Sequence, residues 1–384
     1  MIEVNRIGLS NLCGLNLLKS MLFEKNKGVD MDITGNELYI EDLDYICDLD
    51  LPWEKMKYKR ILITGATGMI GSTMIDSLMR KNEKDAINCI VCAMGRNKEK
   101  AKERFRSYFD RRDFVFIEHN INLPITENLG RFDYLIHLAS NTHPVAYATD
   151  PIGTITTNIL GIYNLLEYAD KSRSGRVAFA SSNEIYGENR GDTEKFSEDY
   201  CGYINCNTMR AGYQESKRCG ESLCQAYIQQ KGMDIVIPRL TRSYGPTLLS
   251  TDTKALSQFL KNGLHGEDIV LKSEGKQYYS YTYVADAVAG LLTVLLKGEC
   301  GEAYNISDEA SDIMLKDLAK IIADTADTKV VFELPDAVES AGFSTVTKAR
   351  LDNSKIKELG FVPKYDIKAG IERTMKIIKE ESGR

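Results

Sequence analysis

Residues 60–81 read RILITGATGMIGSTMIDSLMRK. An apolar run stops on glycine and gives way at once to apolar residues at helical spacing, which predicts a buried strand, a tight turn and a helix. The glycines fall as Gly65-x-x-Gly68-x-x-Gly71. In that context Gly65 permits the turn, Gly68 lets a pyrophosphate approach the backbone, and Gly71 lets helix pack closely on strand. The first helical N–H groups would then face the phosphates. Thr67, Met69 and Ile70 lie in the same turn and are expected to line the cofactor with the glycines.

The alternation continues downstream. Apolar runs at INCIVCAM, DFVFIE, FDYLIHLA, RVAFASS and DIVIPRL are separated by helix-like stretches such as TITTNILGIYNLLEYA and GYQESKRCGESLCQAYIQQ. Strands alternating with helices predict an α/β Rossmann fold, a doubly wound parallel sheet covered on both faces. Ligands of such sheets bind outside the carboxyl ends of the strands. After Tyr244-Gly245-Pro246 the alternation loosens, which predicts a smaller C-terminal α/β lobe for substrate. The expected division is a helical extension over 1–57, a nucleotide-binding domain over 58–245, and 246–384 mainly as substrate lobe with some segments returning to the core. Within 1–57 the pattern suggests helices near Leu9–Leu22 and Ile40–Trp53.

Composition narrows the function classes. The chain has 384 residues, 43% hydrophobic and 27% charged, with a formal charge of -6. That is a globular composition with no basic excess to favour nucleic acid. Nine cysteines without paired short spacings argue against a zinc site or a disulfide framework. The apolar run Leu15–Leu22 is broken by Asn16, Lys19 and Ser20, so neither a membrane span nor a secretory signal is expected. The expectation is a cytoplasmic protein that handles a small molecule and binds no metal.

The second strand ends MGRNKEK, where a carboxylate for the ribose 2′-hydroxyl is absent and Arg96 stands instead. Arg96 can hold a 2′-phosphate or stack on adenine, so the cofactor is NAD or NADP. Tyr213 and Lys217 lie four residues apart and share a helix face. An ammonium and a positive nicotinamide ring would favour the phenolate, which can take the proton of a substrate hydroxyl. Ser181 and Ser182, one strand earlier, can polarise the same oxygen.

At this point the chain resembles a family, the extended short-chain dehydrogenase/reductases of the epimerase/dehydratase group, over roughly residues 59–380. Within it, the chain is most similar to the UDP-glucuronate decarboxylases, through HLASNTHPVAYATDPIGTITTNILGIYNLLE, SSNEIYG, MRAGYQESKRCGESL, PRLTRSYGP and LDNSKIKELGFVPKY. The resemblance implies Ser182 as the hydroxyl of the triad, Tyr213 as base, and Lys217 as the residue that binds the nicotinamide ribose and lowers the tyrosine pKa. It implies that Leu138, Ala139 and Ser140 line the cofactor, and Asn120 and Ile121 are expected beside them.

The implied chemistry is oxidation of the sugar at C4, with the hydride returned later. Where the dehydratases carry Asp-Glu, this chain carries Asn183-Glu184, and a neutral amide cannot supply the acid that dehydration needs. Glu184 remains to orient a sugar or shuttle a proton. Decarboxylation is the favoured reading. A 4-epimerase, a 4,6-dehydratase, a net NADPH-dependent reductase and a non-catalytic cofactor sensor are its alternatives.

Two departures bear on the substrate. The family usually has R-x-x-N-x-Y-G-P, and here Arg242 replaces the asparagine. The family's arginine before the Y-V-x-D strand is here Tyr279. Asn183, Arg210, Arg242 and Tyr279 are expected to meet the substrate, and Lys254, Lys272 and Lys276 are further candidates. His137 is expected to be a satisfied structural residue, His143 to face the sugar from a loop, and Asp286 to cap the helix that follows it. The family likeness also implies a homodimer through helices at 152–169 and 212–230.

Overall fold

The computed structural model describes residues 32–142, 147, 149–333 and 347–383. The expected Leu9–Leu22 helix and His143 lie outside them. The sequence motif that opened the reading forms β1 (Arg60–Thr64), a turn, and the Met69–Asp85 helix. The following apolar runs form β2 (Ile90–Gly95), β3 (Phe114–Glu118), β4 (Tyr134–His137), β5 (Arg176–Phe179), β6 (Ser181–Ser182) and β7 (Ile235–Leu240). Later come β8 (Arg242–Tyr244), β9 (Ile269–Leu271), β10 (Tyr278–Tyr283) and β11 (Ala303–Ile306). The last three are β12 (Asp312–Met314), β13 (Val330–Phe332) and β14 (Lys348–Ala349).

The main sheet runs β3-β2-β1-β4-β5-β7-β11, with β6 also pairing β7. Every pairing in it is parallel. Its central strands are buried on both faces, which is why they read as continuous apolar runs. The strand order reverses between β1 and β4, so a crevice opens at their carboxyl ends. β11 and the Val284–Lys297 helix return to this sheet from beyond residue 246, whereas β8, β10, β12 and β14 form a smaller one.

The segment before β1 contains a helix, Glu37–Cys47, capped by Asn36, whose side chain accepts from the Tyr39 N–H at 3.2 Å. It starts earlier and ends earlier than the apolar pattern over Ile40–Trp53 suggests. Asn36 sets the start, and Trp53–Met56 forms a separate 3₁₀ turn. Side-chain contacts on two sides hold this helix. Tyr39 donates to Asp76 at 2.6 Å, and Arg80 grips Asp44 at 2.8 and 3.0 Å, both on the Met69–Asp85 helix. On its other side Tyr283 of β10 donates to Asp42 at 2.5 Å, and Tyr45 donates to Asp286 at 2.8 Å.

Asp286 corrects an expectation. It lies inside the Val284–Lys297 helix, which has no side-chain cap, and accepts from the backbone N–H groups of Lys364 and Tyr365 at 2.8 and 3.0 Å. Fully buried, its carboxyl is pushed up to about 6, burial outweighing the two amides and Tyr45 that pull it down.

Candidate active site

The glycine turn is built as its spacing demands. Gly65 sits at φ +68, and a Cβ there would lie 2.7 Å from the Leu138 carbonyl carbon and the Ala139 nitrogen. A Cβ on Gly71 would lie 2.3 Å from the Gly65 carbonyl oxygen, whereas at Gly68 the nearest atom is that oxygen at 3.2 Å. Gly65 and Gly71 therefore hold strand, turn and helix together, and Gly68 leaves space. The N-terminus of the Met69–Asp85 helix has no side-chain cap. Its first N–H groups and the helix dipole are thus directed at an anion approaching over Gly68, between Thr67, Met69 and Ile70. These residues fit a dinucleotide pyrophosphate.

Other expected cofactor residues follow the carboxyl ends of β2, β3 and β4. Leu138 and Ala139 follow β4 and donate their N–H groups to the Thr64 carbonyl and Thr64 Oγ1, each at 3.3 Å. Thr64 Oγ1 also meets His137 Nδ1 at 2.9 Å. That bond joins the hydroxyl to Nδ1 whichever of the two carries the proton, because the oxygen has a second lone pair for Ala139. His137 Nε2 has no partner among the described residues, so this histidine is only half satisfied. Burial, then Lys217, lowers its pKa to about 3. It stays neutral. Asn120 and Ile121 lie beyond β3. Asn120 Oδ1 accepts from Asn122 N at 3.2 Å within its own loop, and the Ile121 carbonyl accepts from Asn164 at 2.8 Å. Arg96 stands exposed beyond the end of β2.

Tyr213 and Lys217 project from the Ala211–Lys231 helix, and Ser182 ends β6 beside them. Ser182 and Ser140 lie close enough to the Tyr213 phenol to pull its pKa down. Burial pushes that phenol up to about 12, while Ser182, Arg210 and Ser140 pull it down and Glu184 pushes it up. Lys217 Nζ donates to the Ala180 carbonyl at 2.7 Å, and burial pulls its pKa down to about 8. An ammonium has three donors, so two remain beyond the Ala180 bond.

The sequence reading passed over Asn158, buried in the Pro151–Lys171 helix. Ser140 donates to its Oδ1 at 2.7 Å, and its Nδ2 donates to Ser216 at 2.9 Å, which donates to the Tyr213 carbonyl at 2.8 Å. The signal was present: an amide on the apolar face of a helix must be paired. Tyr147 was passed over too, and its ring lies 5.0 Å from that of Tyr213.

Around the triad lies a charged cluster. Glu184, in the 3₁₀ turn Asn183–Tyr186, accepts from Arg210 at 3.0 Å and Gln214 at 3.2 Å, and pairs with Arg242 at 3.7 Å. The Arg210 guanidinium lies 4.7 Å over the Tyr147 ring, and that of Arg242 lies 3.6 Å over Tyr279. Parallel pairing of β8 with β10 sets Arg242 opposite Tyr281, so the two unusual residues meet. Asn183 is buried, and its Oδ1 lies 3.4 Å from Ser182 Oγ. Lys254 pairs with Asp252 at 3.3 Å, Lys276 pairs with Glu274 at 2.5 Å, and Lys272 is exposed.

The sequence profile of the NAD dependent epimerase/dehydratase family matches residues 61–307. The chain belongs to that family. It is 31% identical over 330 residues to UDP-glucuronic acid decarboxylase 4 of Arabidopsis thaliana, covering 85% of this chain and 70% of that one. To UDP-glucuronic acid decarboxylase 3 of the same plant it is 31% identical over 316 residues, covering 81% of this chain and 86% of the relative. A dTDP-glucose 4,6-dehydratase of Streptomyces venezuelae, solved with NAD, shares the fold at a TM-score of 0.73 and 24% identity, covering 84% of this chain and 98% of its own. Among the described residues, no helix is long and apolar enough to cross a membrane, and no group of side chains could hold a metal ion.

Proposed function

We propose that this family member binds NAD, oxidises C4 of a nucleotide sugar, and decarboxylates UDP-glucuronate. What supports the reading is that Ser182, Tyr213 and Lys217 come from elements at the carboxyl edge of the sheet, with Tyr213 close to Ser182 and to Ser140, which follows the Leu138–Ala139 segment packed on Gly65. Bound NAD supplies the acceptor for the C4 hydrogen and its later return. Tyr213 takes the C4 hydroxyl proton, Ser182 holds the same oxygen in place, and Lys217 orients the nicotinamide ribose. Loss of the C5 carboxylate from the resulting β-keto acid places its electrons on the C4 oxygen, which Tyr213 and Ser182 hold. Asn183 offers no acidic proton for expelling a C6 hydroxyl, which favours loss of carbon dioxide over loss of water.

In this reading residues 246–384 supply most contacts to the substrate, and the protein works in the cytoplasm. Two copies associate through the Pro151–Lys171 and Ala211–Lys231 helices, the first of which leaves Ile152, Leu160 and Tyr163 exposed. The test is incubation of the purified protein with UDP-glucuronate and product analysis by mass. Loss of carbon dioxide is expected. An unchanged mass with altered sugar stereochemistry, or loss of water, would overturn the decarboxylase reading.

A further inference from the structure

Two arginines share one carboxylate at the mouth of the site. Glu184 Oε2 accepts from Arg210 at 3.0 Å and its Oε1 lies 3.7 Å from Arg242. One negative charge stands between two positive ones. Asp252, which acts on Tyr147 from nearby, is paired with Lys254 and does not restore the balance. Each guanidinium also keeps a donor in reserve: Nη1 of Arg210 and Nη1 of Arg242 are both buried and have no hydrogen-bond partner among the described residues. Buried donors of this kind are normally paired, so two of them on guanidiniums that share Glu184 ask for an acceptor. Neither group is loose. Arg210 lies over the Tyr147 ring and Arg242 over the Tyr279 ring, at 4.7 and 3.6 Å from the ring centres. Stacking fixes the plane of a guanidinium, and a fixed fork suits a planar oxyanion better than a phosphate approached from any side.

The position of the cluster selects which oxyanion. Glu184 is two residues past Ser182, Arg210 is three before Tyr213, and Tyr147 bridges Arg210 to the Tyr213 ring. The two guanidiniums therefore belong to a cluster that borders Tyr213, on whose phenol both Arg210 and Glu184 act. We infer that Arg210 and Arg242 form a clamp for the C5 carboxylate of a uronic acid nucleotide sugar, with Glu184 spacing the two forks. The inference rests on the proposed reaction for its substrate class, and it assigns the specificity for a charged sugar to Arg242. It also has a consequence for turnover. Decarboxylation breaks the C5–C6 bond, leaves its electron pair in the sugar, and removes the anion as neutral carbon dioxide. The clamp then has nothing to hold, and the pentose product is bound no better than a neutral hexose.

Equilibrium binding to the protein loaded with NADH, which cannot accept the C4 hydride and so leaves the sugar intact, separates this from the alternatives. Wild type should bind UDP-glucuronate about tenfold or more tighter than UDP-glucose, a charge-assisted contact present in one ligand alone. Arg242→Gln should remove most of that preference while leaving the affinity for UDP unchanged. Arg210→Gln should do the same, which keeps the test available if one variant fails to fold. Arg242→Lys, with charge but no fork, should fall between. Equal weakening of UDP, UDP-glucose and UDP-glucuronate by Arg242→Gln would place Arg242 on the diphosphate and overturn the inference. So would a preference that survives both glutamine variants. Absence of carbon dioxide release together with an arginine-dependent preference would overturn the proposed reaction and leave the clamp standing.

Discussion

Replacing Gly68 and Gly71 separately by alanine tests the glycine turn, because the structure predicts opposite profiles for two changes three residues apart. At Gly71 the new Cβ would sit 2.3 Å from the Gly65 carbonyl oxygen, against about 3.4 Å for ordinary contact, so the helix must retreat by about 1 Å. Gly65 cannot yield, since it is itself packed against Leu138 and Ala139. Forcing a group into such a site costs roughly 1–3 kcal/mol, and it moves the N–H groups that face the phosphates. At Gly68 the backbone is at φ -77 and the nearest atom, the Gly65 carbonyl oxygen, is 3.2 Å away, so alanine needs a shift of a few tenths of an ångström where Gly71 needs about 1 Å. Loss of glycine freedom in the unfolded chain, about 0.4–1 kcal/mol, offsets that milder strain and leaves the change near neutral. Its methyl, however, points into the space left for the pyrophosphate. NAD affinity should fall by about tenfold or more, equivalent to about 1.4 kcal/mol. Urea denaturation and calorimetric titration of NAD into stripped protein read the two quantities independently. Gly68→Ala binding NAD with wild-type affinity would refute the assignment of the turn, and equal destabilisation by both variants would refute the steric reasoning.

Two further outcomes are expected. Tyr213→Phe removes the base while keeping the ring against Tyr147, so kcat should fall by about 10²–10⁴-fold with NAD binding intact; a fall below tenfold would remove Tyr213 from the proton transfer. Asp286 has a folded pKa of about 6, above the roughly 3.9 of an unfolded aspartate, so the folded state holds its proton more firmly. The stability it confers is present below about pH 4 and is lost as pH rises through about 6, by up to about 3 kcal/mol. Asp286→Asn should flatten that slope in denaturation curves taken from pH 4 to 7; an unchanged slope would show that other carboxyls cause it.

The sheet was legible because its strands are buried on both faces and therefore read as unbroken apolar runs, each ending where glycine or a polar residue begins. The cofactor turn and the Tyr213/Lys217 pair were legible because their spacing is local. What lay hidden was set by contacts between distant segments. Arg242 and Tyr279 are 37 residues apart and meet only through the register of β8 on β10. Asp286 looked like a cap because its helix begins there, yet its carboxylate serves amides 78 and 79 residues away. Asn158 sits in a helix that otherwise advertises only packing, and its bonds reach into two other segments.

The Glu37–Cys47 helix lies outside the span 61–307 that the family profile matches, yet its side chains bond to both walls of the cleft. Tyr39 reaches the helix that begins at the glycine turn, and Asp42 reaches the strand that carries Tyr279. The width of the cleft is thus referenced to a third body, much as a jig holds two parts at a set spacing. Transplanting residues 61–307 alone would carry over every group of the reaction and leave behind the gauge that sets how far apart they stand.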